Sequence, residues 1–391
     1  MEITDNIYKW LDEKQYIIGI YLDFQNAFDT VDHNILLNKL NNYGIRGTMH
    51  KWMSSYLNGR MQYTVVNGVS STQLPITYGV PQGSVLGPVL FLIYINDLAN
   101  CAPNLNARLF ADDTNIFVHD LIRERAYNKA NIMLEALSNW LKANKLSLNV
   151  SKTNYSLFSS SKTSTNCDPN LKLYIDGSEI QRATVVKYLG VLIDDGLKWT
   201  DHIESVYKNI IKYIGIFYKI RHKLGSKNLT NFYFATIYPH ITYGIEIYAN
   251  TCKTYLNKLI TLNNKLLRIL QQKDLFVKIP ELYANYNTLP INVLHKSKIL
   301  TLMYKFLNKK DEFPPSFSNY FMLNCTVHVY NTRGSDYDFH LDVRNSNKGL
   351  RSTQHRGPSW WNALPTTIKT ETNLLPFSKK LYAYLQLEDK D

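Results

Sequence analysis

Residues 108–119 read RLFADDTNIFVH. Leu109 and Phe110 precede two adjacent acids, and Ile116, Phe117 and Val118 follow them. Short apolar runs on both sides of a polar break spell two strands joined by a tight turn. A turn favours one aspartate, whose side chain bonds backbone two residues on. Asp112 and Asp113 repel each other, so a hairpin that keeps both needs something to offset the repulsion. A bound divalent cation does so directly, and hard carboxylate oxygens suit Mg²⁺.

A third acid stands in a comparable place. YIIGIYLDF (16–24) is a continuous apolar run short enough for a buried strand, and it ends in Asp23. By itself an aspartate at a strand end is a turn or cap residue. Three carboxylates at strand ends can instead hold two Mg²⁺ about 3.5–4 Å apart, which clamp the attacking and leaving oxygens of a phosphoryl displacement. The residues therefore point to metal-assisted phosphoryl transfer, and spacing alone does not choose between a polymerase and a nuclease.

The order of elements predicts an α+β sheet domain. HNILLNKLNNYG (33–44) reads as a helix stopped by Gly44, and VVNGVS (65–70) as a hairpin turned by Asn-Gly. GVPQGSVLGP (79–88) is a Gly/Pro loop feeding an apolar helix over 89–100. An amphipathic helix is expected over 128–144, then LSLNVSKTNYSLF (146–158) as strand with a central turn. A polar loop (159–170), a hairpin turned by Asp176-Gly177 and a strand pair over 185–194 follow.

Beyond residue 200 the pattern becomes helical. Ile203, Val206, Ile210, Ile214 and Phe217 recur at helical spacing, as do Leu256, Leu259, Ile260, Leu266, Leu267 and Leu270. Residues 201–310 hold 17 lysines and arginines against 5 acids, an excess that equals the net +12 of all 391 residues. Lys258, Lys265 and Arg268 fall opposite the apolar stripe, which suits a surface for a nucleic-acid backbone. Phe313-Pro314-Pro315 marks a break, followed by RSTQHRGPSWWNALP (351–365).

Cys101, Cys167, Cys252 and Cys325 have no zinc-ligand spacing, so free thiols in a reducing compartment and no zinc site are expected. No apolar run reaches the roughly 20 residues of a membrane span. The polar start MEITDNIYKWLDEKQ does not suit a signal peptide. An intracellular protein, nuclear or cytoplasmic and not secreted, is the expectation.

Five segments, YLDFQNAFDTVDH (21–33), YGVPQGSVLGPVLFLIYINDL (78–98), FADDT (110–114), LSLNVSKT (146–153) and YLGVLID (188–194), stand in this order. They resemble the palm motifs of reverse transcriptases of non-LTR (LINE-type) retrotransposons. RGPSWWNALP resembles the C-terminal region of jockey-like insect elements. The resemblance implies a polymerase palm, an antiparallel sheet packed on helices, followed by a helical thumb and a C-terminal extension. It sets the palm at 15–198, a basic thumb at 199–312 and the extension at 313–391.

It implies RNA-directed DNA polymerase activity on an RNA template, a DNA primer and dNTPs, with two Mg²⁺, for which Mn²⁺ can substitute. Asp23, Asp112 and Asp113 become the metal ligands, and Lys152 the donor of a proton to pyrophosphate. Phe28 becomes the steric gate under the sugar, and Gln82 and Gly83 the contact to the incoming nucleotide and template. Tyr188, Leu189 and Gly190 become the primer grip, while Asp29 and His33 are hydrogen-bonding fold residues. With 22 residues ahead of Asp23, residues 1–14 are expected to be a remnant of the last fingers helix in an N-terminally truncated polymerase. Much of the triphosphate site lies in the fingers, so weak or absent polymerase activity is expected from these residues alone. The alternative is a nucleic-acid-binding remnant that keeps the palm fold.

Overall fold

A computed structural model describes residues 1–160, 170–327 and 337–388. Cys167 and most of the polar loop expected at 159–170 lie outside the described residues. The chain divides into two compact units, Lys14–Leu189 and a second made of Met1–Glu13 with Gly190–Asp391.

The first unit is α+β. It contains β1 (Tyr16–Leu22), α2 (His33–Asn42), α3 (Gly47–Leu57), the two-residue strands β2 (Met61–Gln62), β3 (Val65–Val66), β4 (Val69–Ser70) and β5 (Leu74–Pro75), and α4 (Leu86–Ile95). Then come β6 (Asn106–Phe110), β7 (Asp113–Asp120), α5 (Arg123–Ala143), β8 (Asn154–Phe158), β9 (Leu173–Ile175), β10 (Ser178–Arg182) and β11 (Val185–Tyr188). Six strands form one sheet in the order β6-β7-β1-β8-β10-β9, with β1 antiparallel to both β7 and β8.

Alternation along β1 turns Ile18, Ile20 and Leu22 to one face. They join Ile116 and Val118 of β7, Leu134, Leu137 and Leu141 of α5, and Phe91 and Tyr94 of α4 in one buried core. The helix expected from residue 89 begins earlier, at Leu86, and gives way to a 3₁₀ turn over Asn96–Asn100. Pro88 is thereby the third helical residue, where the missing N–H has no partner to lose.

The second unit is helical. After β12 (Val191–Asp194) it holds α6 (Thr200–Ile211), α7 (Tyr213–Ile220), α8 (Ser226–Thr236), α9 (Tyr238–Thr242), α10 (Ile245–Tyr248), α11 (Lys253–Gln271), α12 (Ile279–Ala284) and α13 (Ile291–Asn308). It continues with α14 (Asn324–Val327), α15 (Thr353–Asn362), α16 (Thr366–Lys369) and α17 (Leu374–Glu388), and it includes the N-terminal α1 (Glu2–Asp12).

The compact units separate after Glu13, one residue from the division expected after 14, and after Leu189, nine residues before the one expected after 198, while residue 312 lies inside the second unit. Side-chain chemistry explains the difference. Trp199 is fully buried and its Nε1–H donates to the Tyr8 hydroxyl of α1 at 3.1 Å. Asp5 of α1 accepts from the backbone amides of Thr353 and Gln354 at 2.9 and 3.2 Å. The extension also shares a core with α13. Tyr304 stacks on Phe377 at 4.2 Å between ring centres, and a Cβ on Gly357 would lie 2.8 Å from the Met303 sulfur. RGPSWW is thus partly a packing motif, in which Gly357 admits α13 and Trp361 fills the core.

Candidate active site

Strand register brings the three acids to one end of the sheet. Leu22 pairs with Thr114 as the last β1–β7 pair, so Asp23 and Asp113 come next on adjacent strands. On its other side Asp113 pairs with Phe110, which leaves Ala111 and Asp112 as a two-residue turn. Ala111 takes a positive φ of 53° there. The expectation that both acids sit at the hairpin tip is corrected: Asp112 is in the turn, and Asp113 is the first residue of β7.

Asp112 and Asp113 are exposed and Asp23 is half-buried. Burial, then the negative charges of Asp112 and Asp23, push the Asp113 carboxyl above its ordinary range. Among the described residues no cation and no hydrogen-bond donor partners any of the three side chains. Three hard, uncompensated carboxylates fit a divalent cation in charge and donor chemistry. As the side chains stand they do not converge: among the described residues no three carboxylate, imidazole or thiol groups are close enough to hold one ion.

The backbone of Asp23 is held from the far side by the turn before β8. Its N–H donates to the Thr153 hydroxyl at 3.3 Å, and its carbonyl accepts from the Asn149 amide at 2.8 Å. The Gln25 amide donates to the Ser147 carbonyl at 2.8 Å, and Phe24 bridges Leu148. Lys152 lies exposed on that turn, its own amide bonded to the Asn149 carbonyl. Thr153 and Asn149 are positioning residues that the sequence reading passed over. Thr153 is fully buried, and its only signal was its place directly after Lys152.

The loop carrying Gln82 and Gly83 is tied to the segment after Asp23. The Val80 amide donates to the Phe28 carbonyl and the Gly79 amide to the Val31 carbonyl, each at 2.8 Å. Gly79 has a φ of 86°, and a Cβ there would meet the Asp29 backbone at 2.9 Å, so only glycine fits. The Gln82 amide donates to Asp29 Oδ1 at 2.8 Å, and His33 Nε2 bonds the Gly79 carbonyl oxygen at 2.7 Å. Asp29 and His33 are therefore the hydrogen-bonding residues expected. Phe28 packs on Phe91 with ring centres 4.5 Å apart, and Gly83 has a φ of 78° with open space beside it.

Leu189 and Gly190 take φ of 44° and 79°, which makes Tyr188–Val191 a tight turn. The division between the two units falls between Leu189 and Gly190. On α11, Lys258 and Lys265 are exposed and Arg268 is half-buried. Lys258 is committed to an ion pair with Glu204 and sits 4.3 Å from the Tyr207 ring centre. Lys265 has no partner among the described residues, and the buried Nε of Arg268 has no hydrogen-bond partner. Among the described residues no helix is long and apolar enough to cross a membrane.

Residues 3–193 match a family model described as reverse transcriptase (RNA-dependent DNA polymerase). The chain is 25% identical over 318 residues to the RNA-directed DNA polymerase from mobile element jockey of Drosophila melanogaster, covering 79% of this chain and 34% of that protein. It is 26% identical over 314 residues to the probable RNA-directed DNA polymerase from transposon X-element of the same organism, covering 78% of this chain and 33% of that protein. The chain thus spans about a third of the length of the curated relatives it matches. Among solved structures it is similar to an apo telomerase from Candida tropicalis, with a TM-score of 0.38 and 10% identity over 81% of this chain and 55% of that one.

Proposed function

The chain belongs, through residues 3–193, to the reverse transcriptase family in its non-LTR, LINE-type form, and on that premise we propose that it carries the palm of an RNA-directed DNA polymerase. The observation that carries the reading is the trio of carboxylates at the β1 and β7 ends, with no cationic or donor partner among the described residues and with Asp113 pushed up by burial and then by its two neighbours. Its substrates would be an RNA template, a DNA primer and dNTPs. The bond formed joins the primer 3′-oxygen to the α-phosphorus of the dNTP, and pyrophosphate leaves.

Asp23, Asp112 and Asp113 would hold the Mg²⁺ ions, two in number and replaceable by Mn²⁺. Bound there, they would stabilise charge on the phosphoryl group being transferred. Thr153 and Asn149 fix the backbone of Asp23, so the acid at the end of β1 is held through both its N–H and its carbonyl by the turn before β8. Lys152, on the same turn, would give a proton to the departing pyrophosphate. Phe28, backed by Phe91, would lie under the sugar and exclude a 2′-hydroxyl. Gln82, hooked to Asp29, and Gly83 would meet the nucleotide and template. Tyr188, Leu189 and Gly190 would grip the primer, and Lys258, Lys265 and Arg268 would face its backbone. A reducing intracellular compartment suits the free Cys101, Cys252 and Cys325.

The test is extension of a DNA primer on an RNA template with dNTPs and Mg²⁺ or Mn²⁺. The expected result is extension that falls roughly a hundredfold or more in Asp112→Ala. Extension that survives this change, or no extension with either ion, overturns the reading.

A further inference from the structure

The helical unit contains a cavity of about 390 Å³ between α11, α13 and α15, inside the range of about 300–1,000 Å³ usual for ligand sites. Arg356 and Trp360, both from the RGPSWW segment, form one wall, His295 of α13 lies behind them, and Lys253 stands at the rim. Leu256 and Ile260 of α11 supply an apolar side, and among the described residues no acidic one lines the cavity.

Its charge is unbalanced. Arg356 is half-buried, lies 5.7 Å from the Trp360 ring centre and donates one hydrogen bond, at 3.2 Å, to the Asn250 side-chain oxygen. Among the described residues no carboxylate pairs with it. A guanidinium withdrawn from water without an anion is costly, and its remaining N–H groups can donate bidentately to one. Burial, with Arg351 adding, pushes the Arg356 pKa down from its ordinary value, as expected of an uncompensated cation.

Two further features point to the same ligand. Lys253 is exposed, has no partner among the described residues, and opens α11, whose N-terminus has no side-chain cap. His295 is 3% exposed, its Nε2 has no hydrogen-bond partner among the described residues, and its ring meets Trp360 edge to face at 5.3 Å. The cavity thus combines two unpaired cations, an aromatic face and an apolar side, which is the chemistry that takes a phosphate and a flat ring together.

We propose that this cavity binds one nucleotide of a single-stranded nucleic acid, with the base against Trp360 and the phosphate on Arg356 and Lys253. The choice of a strand over a free nucleotide rests on the polymerase reading above. The site would hold an unpaired nucleotide of the bound strand on the helical unit, using none of the residues assigned to the palm.

The test uses a short single-stranded RNA carrying 5-iodouridine, without divalent ions or dNTPs, on the full chain. Photocrosslinks are expected in the peptide containing Trp360, and excess AMP should not abolish them. Fluorescence anisotropy with the same RNA should show affinity roughly three- to tenfold lower in Arg356→Met and in Trp360→Leu. The exposed Lys253→Met, which removes no internal contact, should lose affinity in the same direction and flatten the salt dependence. Crosslinks that map only elsewhere, unchanged affinity in Lys253→Met, or a site that takes AMP and excludes RNA would each overturn the proposal. A lost crosslink with extension intact sinks this site alone, whereas a kept crosslink without extension sinks the polymerase reading alone.

Discussion

The palm hairpin and the start of α15 each hold a carboxylate that burial pushes above its ordinary pKa, and they treat it in opposite ways. Asp5, 1% exposed, accepts from the Thr353 and Gln354 amides and from the Tyr320 hydroxyl. A side chain from α1 thereby caps a helix that begins 348 residues later. Asp113 has neighbours of its own sign and no donor among the described residues. A carboxylate that accepts three hydrogen bonds holds the fold together. One left facing two other acids costs stability that only a bound cation offsets.

This contrast fails if Asp112→Ala and Asp5→Ala have similar effects. The first should reduce primer extension by roughly a hundredfold or more and leave the melting temperature level or slightly raised in metal-free buffer, because repulsion is relieved. Added Mg²⁺ should stabilise the unaltered chain more than the variant. Asp5→Ala should cost the helical unit about 2–4 kcal/mol, since two amides and a buried hydroxyl lose their acceptor. Thermal denaturation of the two variants, with and without Mg²⁺, makes the comparison. A destabilised Asp112→Ala together with a neutral Asp5→Ala would reverse it.

The two regions also differ in how far the sequence reveals them. β1, the β6–β7 hairpin and the acids on them are set by contacts between short neighbouring elements, and apolar runs ended by Asp23 and Asp112 make them legible. The sequence puts Asp113 in the turn and the structure puts it first in β7, because hairpin register depends on one residue of pairing, which two adjacent acids leave ambiguous. Asp5 carries no comparable signal. Its partners Tyr320, Thr353 and Gln354 lie more than 300 residues away, and an aspartate in the first turn of a helix is ordinary by itself. For the same reason the grouping of α1 with the C-terminal helices could not be read from periodicity. Asn149 and Thr153 act through backbone bonds, which composition does not reveal.

Acidification should separate the units. In the helical unit, burial lowers His202 to about 4 and His295 to about 3, from an ordinary 6.5. Both stay neutral in the fold while the unfolded chain takes up protons, so stability is lost as pH falls below 6.5 and continues to fall toward those values. In the palm, burial pushes Asp32 up, but bonds from Lys145 and the Ile35 and Asn34 amides outweigh it and hold its pKa down. Lys129 does the same for Asp120, as do Lys142 and Ser138 for Asp176. Their contribution is complete above the ordinary carboxylate pKa of 3.8 and is lost only as pH falls through the lowered values. Hydrogen exchange measured between neutrality and pH 5 should show the helical unit losing protection before the palm sheet. Loss in the opposite order would mean that the two histidines do not set its acid response.

The smallest effect carries the distinction between paired and unpaired charge to the basic helix. Lys265 has no partner among the described residues, whereas Lys258 is bound to Glu204 and stacked over Tyr207. A free ammonium that meets a duplex phosphate releases a counterion and contributes about 0.9 to the slope of log affinity against log salt. One already neutralised must first give up its carboxylate, and the net charge it brings to the phosphate is smaller. Lys265→Met should therefore lower the slope for a template–primer duplex by roughly 0.9, and Lys258→Met by clearly less. Glu204→Gln frees Lys258 and should raise the slope toward one further contact. Equal losses at the two lysines, or no change on removing Glu204, would mean that the ion pair opens without cost when the duplex arrives. The division between structural and available charge would then hold for the carboxylates and not for α11.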